Sequence, residues 1–337
     1  MHYRRLGRSN LKVSVLCLGT MMFGKQTPFE EAASIVDSAR DKGINFIDTA
    51  DVYNHGQSEV DVGKLLKGTR HRWVLASKLG NPVTSGDAAS VNEGHYSRRW
   101  IMQQTDAILS RLETDFLDIL YLHRDYDDAN LEEAIRALGD LISAGKIRSF
   151  GLSNFRGWRI AEVVRLCEKL NVPSPALCQP YYNLLNRQPE VEILPACSHY
   201  GLGVVPYSPL ARGVLTGKYP PGQPPAEGTR AGSGDKRILE TEFREESLVI
   251  AQKIKAHCEA KGWVAGQFAA AWVLANPVIS SVIVGPRTLA HLEDVYGATD
   301  LMLDTEDEAF IDSLVTPGHA STAGYSDPAY PFFGRPV

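Results

Sequence analysis

Short apolar runs recur along the chain, and amphipathic stretches separate most of them. The runs cover residues 14–18, 44–48, 73–78, 117–123, 147–153, 176–179, 203–206 and 281–284. Uninterrupted apolar runs of this length are typical of parallel strands that are covered on both faces. The separating stretches have helical periodicity and cover residues 28–42, 57–67, 98–113, 131–144, 157–170, 189–200, 245–261 and 265–275.

The alternation of strands and helices predicts a parallel sheet in an α/β fold. Eight such units in a chain of 337 residues fit a closed (β/α)8 barrel, or TIM barrel. The alternative is an open doubly wound sheet, which normally has a glycine fingerprint after its first strand. The sequence Leu18-Gly-Thr-Met-Met-Phe-Gly24 does not supply that fingerprint. We therefore predict a (β/α)8 barrel with an N-terminal β-hairpin within residues 2–14 and an active site at its C-terminal mouth.

Two segments interrupt the alternation. Residues 217–240 are rich in proline and glycine, which predicts irregular backbone and a loop that serves function. The tail is also irregular, and we expect its aromatic residues to pack on the barrel; they are Tyr325, Tyr330, Phe332 and Phe333. The predicted domains are a barrel over residues 1–315 and a C-terminal tail over residues 316–337.

Composition and charge narrow the range of partners. A formal net charge of −5 provides no basic surface for phosphate backbones, so no nucleic acid partner is expected. The five cysteines are widely spaced without a Cys-x-x-Cys motif, which predicts reduced thiols in a cytoplasmic protein. No apolar run has the length of a membrane span, and the first residues do not resemble a secretion signal, so no membrane association is expected. No pattern in the sequence indicates an oligomeric state.

Polar side chains follow the apolar runs where each predicted strand ends. They are Asp48 with Tyr53, Lys78, His123, Ser153 with Asn154, Gln179, and Tyr207 with Ser208. Each has an ordinary structural explanation, such as a lysine that extends to solvent or a hydrogen-bonded core histidine. Because the carboxyl ends of barrel strands converge on one mouth, we expect these side chains to lie close together and to form a site.

Three chemistries could use such a site. A metal-dependent hydrolase is disfavoured because the chain has no His-x-His or His-Glu-x-x-His motif, and no metal is expected. A Schiff-base aldolase would need a neutral lysine, whereas Asp48 would hold Lys78 charged. The third chemistry is proton donation, in which Lys78 would lower the pKa of Tyr53 from about 10 towards working pH. The phenol could then protonate a carbonyl oxygen, oriented by His123, while hydride reaches the carbon.

These residues also carry a resemblance to a known family. The matching segments are Gly43-x-Asn45-x-x-Asp48-Thr-Ala-x-x-Tyr53, Lys78, Leu122-His123, Gly151-x-Ser153-Asn154, Gln179 and Tyr207-Ser-Pro-Leu210. They resemble the aldo-keto reductases, and the resemblance extends from about Arg5 to Leu314. It implies an NADPH-dependent oxidoreductase that reduces aldehydes and ketones to alcohols. Tyr53 would be the proton donor, Lys78 and Asp48 would tune it, and His123 would orient the carbonyl.

The branch that the sequence most resembles includes bacterial general reductases and potassium-channel β subunits. This branch implies an alternative function as well. In that alternative, the barrel is an NADPH-binding redox sensor that attaches to a partner and has little turnover. Fast turnover of an aldehyde would favour the enzyme, and stoichiometric cofactor binding with almost no turnover would favour the sensor.

The resemblance assigns cofactor contacts residue by residue. The predicted cofactor-binding residues are Thr20, Met21, Asp48, Ser153, Asn154, Gln179, Tyr207, Ser208, Leu210, Arg212, Lys218, Gly285, Arg287, His291 and Asp294. Ser153, Asn154 and Gln179 match the positions that bind the nicotinamide carboxamide. Tyr207 matches the ring on which nicotinamide stacks. The positions that match the stretch under the pyrophosphate are Ser208, Leu210 and Arg212, with Lys218 as a phosphate partner.

The adenosine end of the cofactor is less fully matched. Arg287 precedes a predicted helix start, where free N–H groups and a guanidinium suit a phosphate, and it favours NADPH over NADH. His291, Asp294 and Val295 depart from the residues that are common in the family, which leaves the cofactor preference open. The segment 217–240 lies where relatives fold over the cofactor, so we expect it to act as a clasp.

The predicted substrate pocket comprises Phe23, Tyr53, Trp100, His123 and Arg124. Further candidate wall residues are Met21, Met22, Tyr126 and the aromatic residues of the tail. Apolar walls suit aromatic or medium-chain carbonyl compounds, whereas Arg124 could attract an acidic substituent. Trp100 could instead only pack the helix that begins near it. The sequence leaves the substrate open.

Overall fold

The protein is described by a computed structural model that covers residues 1–83 and 91–331. Two compact units are present. The first comprises residues 1–180, 192–206 and 278–293, and the second comprises the rest of the described chain. Phe332 and Phe333, two of the aromatic residues on which the tail prediction rests, lie outside the described residues.

The strands of the described chain all lie in the first unit. They are β1 Tyr3–Arg5, β2 Lys12–Ser14, β3 Leu16–Gly19, β4 Phe46–Asp48, β5 Val74–Leu79, β6 Leu117–Leu122, β7 Ile147–Ser153, β8 Leu177–Gln179, β9 Gly203–Val204 and β10 Val282–Val284. Strands β1 and β2 form the antiparallel hairpin. The other eight form a sheet in the order β10-β3-β4-β5-β6-β7-β8-β9. A parallel bridge between Val204 and Ile279 joins its two ends. The predicted (β/α)8 barrel and hairpin are confirmed.

Helices alternate with the parallel strands along the chain. They are α1 Phe29–Asp41, α2 Gln57–Leu66, α3 Arg98–Arg111, α4 Leu131–Ser143, α5 Gly157–Leu170, α6 Ile193–Tyr200, α7 Lys236–Thr241, α8 Glu245–Ala260, α9 Ala265–Ala275, α10 Leu289–Tyr296 and α11 Thr305–Leu314. Ser97 caps α3 through a hydrogen bond from the Trp100 N–H. Gly145 follows α4 with a φ of 73°, a left-handed backbone that glycine adopts readily. None of the described helices is long and apolar enough to cross a membrane.

Two predicted boundaries need correction, and one helix was missed. The prediction of irregular backbone over residues 217–240 is wrong at its end, because α7 begins at Lys236. Asp235 caps α7 by accepting a hydrogen bond from the Ile238 N–H. Helix α6 begins at Ile193 rather than at residue 189, since residues 188–190 form a 3-10 turn that contains Pro189. Helix α11 was not predicted, although its Asp304–Asp307 capping box is a sequence signal.

The barrel strands are buried on both faces, which explains their uninterrupted apolar runs. Leu16, Phe46 and Leu75 are among the residues that have no accessible surface. The five cysteines are also buried, and all are free thiols. Because the strands themselves are mostly apolar, buried polar side chains such as Asp48 and Gln179 lie at the carboxyl ends of the strands.

Candidate active site

Two charged side chains are buried at the carboxyl ends of the neighbouring strands β4 and β5. Asp48 is 2% exposed and Lys78 is 0% exposed. The Lys78 ammonium forms an ion pair with Asp48 Oδ1. It also donates to the Thr49 carbonyl oxygen at 2.8 Å and to Tyr53 Oη at 3.2 Å. Asp48 Oδ2 accepts a hydrogen bond from Gln179 Nε2 at 2.9 Å. The pair is therefore surrounded by hydrogen-bonding groups.

Burial lowers the pKa of Lys78, but the Asp48 carboxylate more than offsets this, so the pKa lies above its ordinary value. Burial raises the pKa of Asp48, and the Lys78 ammonium opposes that rise. We take both groups as charged, because each has further hydrogen bonds that suit the ionised form. A charged Lys78 disfavours Schiff-base chemistry.

Tyr53 is half-buried and begins a 3-10 turn, Tyr53–Gly56, shortly after β4. Asn54 and His55 have φ values of 48° and 56°, so the backbone reverses sharply here. The Asn54 side chain fixes the turn by donating to the carbonyl oxygens of Met21 at 3.0 Å and Phe23 at 2.6 Å. The loop after β3 thereby holds Tyr53 beside Lys78.

The electrostatics of Tyr53 differ from the expectation. Burial raises the pKa of Tyr53, the Lys78 ammonium lowers it, and the Asp48 carboxylate raises it again, with a net upward shift. The prediction that Lys78 lowers this pKa towards working pH is therefore wrong for this structure. A buried phenolate loses its hydration, and an ammonium already paired with a carboxylate cannot compensate fully. Tyr53 consequently holds its proton at neutral pH.

His123 follows β6 and is half-buried. Its ring lies edge-on to the Tyr53 ring, with centroids 6.1 Å apart and an interplanar angle of 79°. Burial, followed by the positive charges of Lys78 and Arg124, lowers the pKa of His123 well below its ordinary value, so the imidazole is neutral. Its Nδ1 is buried and has no hydrogen-bond partner within the described residues.

Ser153, Asn154 and Gln179 form a hydrogen-bonded group at the ends of β7 and β8. Ser153 Oγ donates to the Gln179 carbonyl oxygen at 3.1 Å. Asn154 Nδ2 donates to Ser153 Oγ at 3.1 Å and to the His123 carbonyl oxygen at 3.0 Å. Since Gln179 also bonds to Asp48, this group is connected to the Asp48–Lys78 pair.

In the second unit, Tyr207 stacks on Tyr181 with ring centroids 5.6 Å apart. The turn after Tyr207 contains left-handed residues with φ between 48° and 93°, at Ser208, Ala211, Arg212, Gly213 and Gly217. Three of these residues are consecutive, and the turn is closed by N–H groups that donate to its own carbonyl oxygens, such as Ala211 to Ser208 at 2.9 Å. Lys218 Nζ lies beside Gly213, 2.8 Å from where a Cβ would stand, and the φ of 93° favours glycine at this position.

The side chain of Arg212 anchors this turn. Its guanidinium forms an ion pair with Glu242, which is fully buried, and donates to Thr241 Oγ1 at 3.0 Å. Leu210 contributes a carbonyl oxygen that accepts from the Gly213 N–H at 2.8 Å. The N–H groups of Ala211, Leu215 and Gly217 also donate to carbonyl oxygens within the turn, so these backbone donors are already used.

The structure places the residues predicted for adenosine after β10 and on α10. The Arg287 carbonyl oxygen accepts from Thr27 Oγ1 at 3.0 Å. Two N–H groups at the start of α10 already have protein acceptors, Leu289 to Glu31 Oε1 at 2.5 Å and His291 to Thr288 Oγ1 at 3.3 Å. The helix start thus offers fewer free donors than predicted. Gly285, His291 and Asp294 are exposed, and Val295 is buried.

Two residues that were predicted to line the substrate pocket are buried. Phe23 is 0% exposed and Trp100 is 4% exposed, so neither offers an apolar surface to a ligand here. Met21, in the same loop as Phe23, is 38% exposed. Thr20 is buried and bonds through Oγ1 to the Asp48 carbonyl oxygen at 3.1 Å. Arg124 lies over the Tyr126 ring, 5.0 Å from its centroid.

Sequence reasoning assigned no role to Asp51, which proves to be a buried neighbour of the site. It is 1% exposed, and its Oδ2 accepts from Gln104 Nε2 at 2.9 Å. Its backbone N–H donates to the Lys78 carbonyl oxygen at 3.2 Å. The available signal was its place between Asp48 and Tyr53, in a loop that the strand-end argument puts at the mouth.

Comparison with known proteins gives consistent matches. A family model described as the Aldo/keto reductase family matches residues 15–316. The chain is 35% identical over 313 residues to an uncharacterized oxidoreductase, YrpG, of Bacillus subtilis, covering 91% of this chain and 93% of that protein. It is 34% identical to a probable voltage-gated potassium channel subunit beta of Arabidopsis thaliana, covering 90% and 92%. It is 32% identical to versiconal hemiacetal acetate reductase of Aspergillus parasiticus, covering 94% and 98%.

Proposed function

The chain belongs to the aldo/keto reductase family, and from this we propose that it reduces aldehydes or ketones to alcohols with NADPH. Bound NADPH would supply the hydride, and Tyr53 would supply the proton. The single observation that supports this most strongly is the contact of Lys78 Nζ with both Asp48 and Tyr53 Oη. The names of the oxidoreductase relatives agree with this reaction class.

The hydrogen bonding of Tyr53 suits proton donation. Because Lys78 donates to Tyr53 Oη, the phenolic hydrogen is directed elsewhere and remains available to a substrate oxygen. When the proton leaves, the phenolate forms beside a fixed ammonium, which stabilises it without reorganisation. Asp48 keeps that ammonium in place, and the raised pKa of Lys78 prevents it from losing its own proton.

We propose that His123 orients the carbonyl. Its neutral imidazole can donate one N–H to the substrate oxygen without competing for the proton that Tyr53 donates. The Asn154 bond to the His123 carbonyl oxygen fixes the backbone that carries the ring.

The donor groups also fit the proposed cofactor. Ser153, Asn154 and Gln179 are amide and hydroxyl groups of the kind that hold a carboxamide, and the predicted nicotinamide platform is Tyr207. The Lys218 ammonium, which lies beside Gly213 in the turn after Ser208, suits a pyrophosphate. Arg287 is proposed for the adenosine phosphate, which favours NADPH over NADH.

The test is NADPH and NADH oxidation with a panel of aldehydes, ketones and sugars, followed by absorbance at 340 nm. We expect reduction of at least one carbonyl class and faster reduction with NADPH than with NADH. Tight NADPH binding without turnover across the panel would favour the second candidate, a cofactor-binding partner of another protein. The potassium-channel subunit names among the relatives support that candidate.

We propose that residues 217–240 close over bound NADPH. The segment is held at several points: Tyr219 Oη accepts from the Ala231 N–H at 3.3 Å, and Arg230 pairs with Asp235 at 3.0 Å. Arg237 binds both carboxylate oxygens of Asp327, at 3.0 and 2.7 Å. Saturating NADPH is expected to slow tryptic cleavage after Arg230 about tenfold or more, because opening of the segment would require cofactor release.

Cleavage is followed by mass spectrometry over time. The control is digestion with nicotinamide alone, which lacks the pyrophosphate and is expected to leave the rate unchanged. Equal cleavage rates with and without NADPH would exclude the clasp. The urea unfolding midpoint is measured in parallel, since stabilisation of the whole chain would protect every cleavage site equally.

A further inference from the structure

The charged groups near Asp51 and the Asp48–Lys78 pair do not balance. The acidic groups are Asp48, Asp51 and Glu59, and the basic groups are Lys78 and Arg111. Lys78 pairs with Asp48, and Arg111 Nε pairs with Glu59 Oε2 at 2.6 Å. Asp51 has no ion-pair partner in this set. A carboxylate buried without a cation is costly, so Asp51 is the group that takes up a proton most readily.

The contacts of Asp51 agree with this assignment. Its Oδ2 accepts one hydrogen bond, from the neutral amide of Gln104 on α3. Its Oδ1 is buried and has no hydrogen-bond partner within the described residues. Burial is the main cause that raises the pKa of Asp51, to about 7; Glu59 on α2 adds to the rise, whereas Gln104 and Arg111 on α3 oppose it. Asp51 therefore changes its charge near neutral pH.

Asp51 lies in the same loop as the proposed proton donor. It lies two residues before Tyr53 in the same loop, and its N–H is bonded to the backbone of Lys78. Its negative charge contributes to the raised pKa of Tyr53. We propose that Asp51 is a positioning residue that acts on the proposed reduction through Tyr53: the charge on Asp51 controls how tightly Tyr53 holds its proton.

The direction of the effect follows from the signs of the charges. When pH rises through about 7, Asp51 loses its proton and adds a negative charge near Tyr53. The phenolate then becomes harder to form, so Tyr53 is a weaker acid and donates more slowly. The rate of carbonyl reduction should fall by about threefold to tenfold across this step, the effect of roughly half to one unit in the pKa of Tyr53.

The decisive variant is Asp51→Asn, which keeps the shape of the side chain and removes its titration. Single-turnover NADPH oxidation with 4-nitrobenzaldehyde is measured from pH 5.5 to 9. We expect the fall near pH 7 in the wild-type protein to be absent in Asp51→Asn, and to persist in Asp51→Glu. The matched control is Asp61→Asn, a buried carboxyl that also accepts from an amide, Gln57 Nε2 at 2.8 Å. It should retain the wild-type profile.

A second readout needs no turnover. The full-length protein is labelled with [ζ-¹³C]tyrosine, and Tyr53→Phe identifies the resonance of Tyr53. In Asp51→Asn we expect this resonance to titrate about one pH unit lower than in the wild-type protein, because a nearby negative charge has been removed. The inference rests on the proposed function. If no carbonyl is reduced, that function fails, while the resonance still decides whether Asp51 acts on Tyr53.

Unchanged titration of Tyr53 together with an unchanged rate profile in Asp51→Asn would overturn the inference. Should Asp51→Asn not fold, Gln104→Met provides an alternative test, because it removes the side-chain donor to Asp51. Without that donor the ionised carboxylate is less stable, so the fall in rate should move to higher pH. A fall that stays at the wild-type pH would equally overturn the inference.

Discussion

Replacing Tyr53 with phenylalanine is expected to lower the rate of carbonyl reduction about a thousandfold or more and to leave NADPH affinity within about twofold. The variant removes the proton that Tyr53 is proposed to donate from its position beside the Lys78 ammonium. The ring itself remains, so its packing against His123 is kept. NADPH affinity is measured by fluorescence titration, and the rate is measured under single-turnover conditions.

The control for this prediction is Tyr3→Phe. Tyr3 is 50% exposed and its hydroxyl makes one hydrogen bond, to the Gly43 carbonyl oxygen at 2.7 Å. That variant should retain wild-type rates. If Tyr53→Phe reduced aldehydes within about tenfold of the wild-type rate, Tyr53 would not be the proton donor, because removing a general acid costs more than this.

Replacing Lys78 with methionine is expected to abolish reduction and also to destabilise the fold. It leaves the Asp48 carboxylate buried without its cation, which typically costs about 3–5 kcal/mol in the free energy of unfolding. Asp48 can relieve part of this cost by taking up a proton. Because its folded-state pKa then lies further above the unfolded value, the deficit should shrink as the pH is lowered. Urea unfolding at several pH values measures both effects.

A double variant separates the fold from the chemistry. In Asp48→Asn/Lys78→Met no charge remains unpaired, so most of the lost stability should return while reduction stays undetectable. Lys67→Met is the control for general loss of a lysine, since that side chain is 81% exposed. If the Lys78→Met variant were as stable as the wild-type protein, the Lys78–Asp48 ion pair could not be buried as described.

Strand-end residues were predictable from the sequence because parallel strands have one geometry. Asp48, Lys78 and His123 each follow or end an apolar run, and the parallel pairing of β4, β5 and β6 brings those ends to one edge. Tyr53 Oη and Lys78 Nζ accordingly lie 3.2 Å apart. These positions follow from where each apolar run ends and from the common direction of the parallel strands.

Helix α7 and the burial of Phe23 were not predictable in the same way. Residues 217–240 are rich in Pro and Gly, which predicted irregular backbone throughout. The six-residue helix at their end has one N-terminal sequence signal, the capping residue Asp235. Phe23 follows a strand as the site residues do, but whether its ring faces a ligand or the core depends on a loop held by Asn54. Such contacts join residues distant in sequence, and no local pattern records them.

The sequence by itself determined the barrel, the hairpin and the residues at the strand ends, because periodicity and alternation are local properties. The tertiary structure alone decided the charge states. It placed Lys78 between Asp48 and Tyr53, left Asp51 without a cation, and raised the pKa of Tyr53 where the sequence predicted a lowered one. The physical reason is that a pKa depends on how completely water is excluded and on which charges remain nearby, and both are set by residues far apart in the chain.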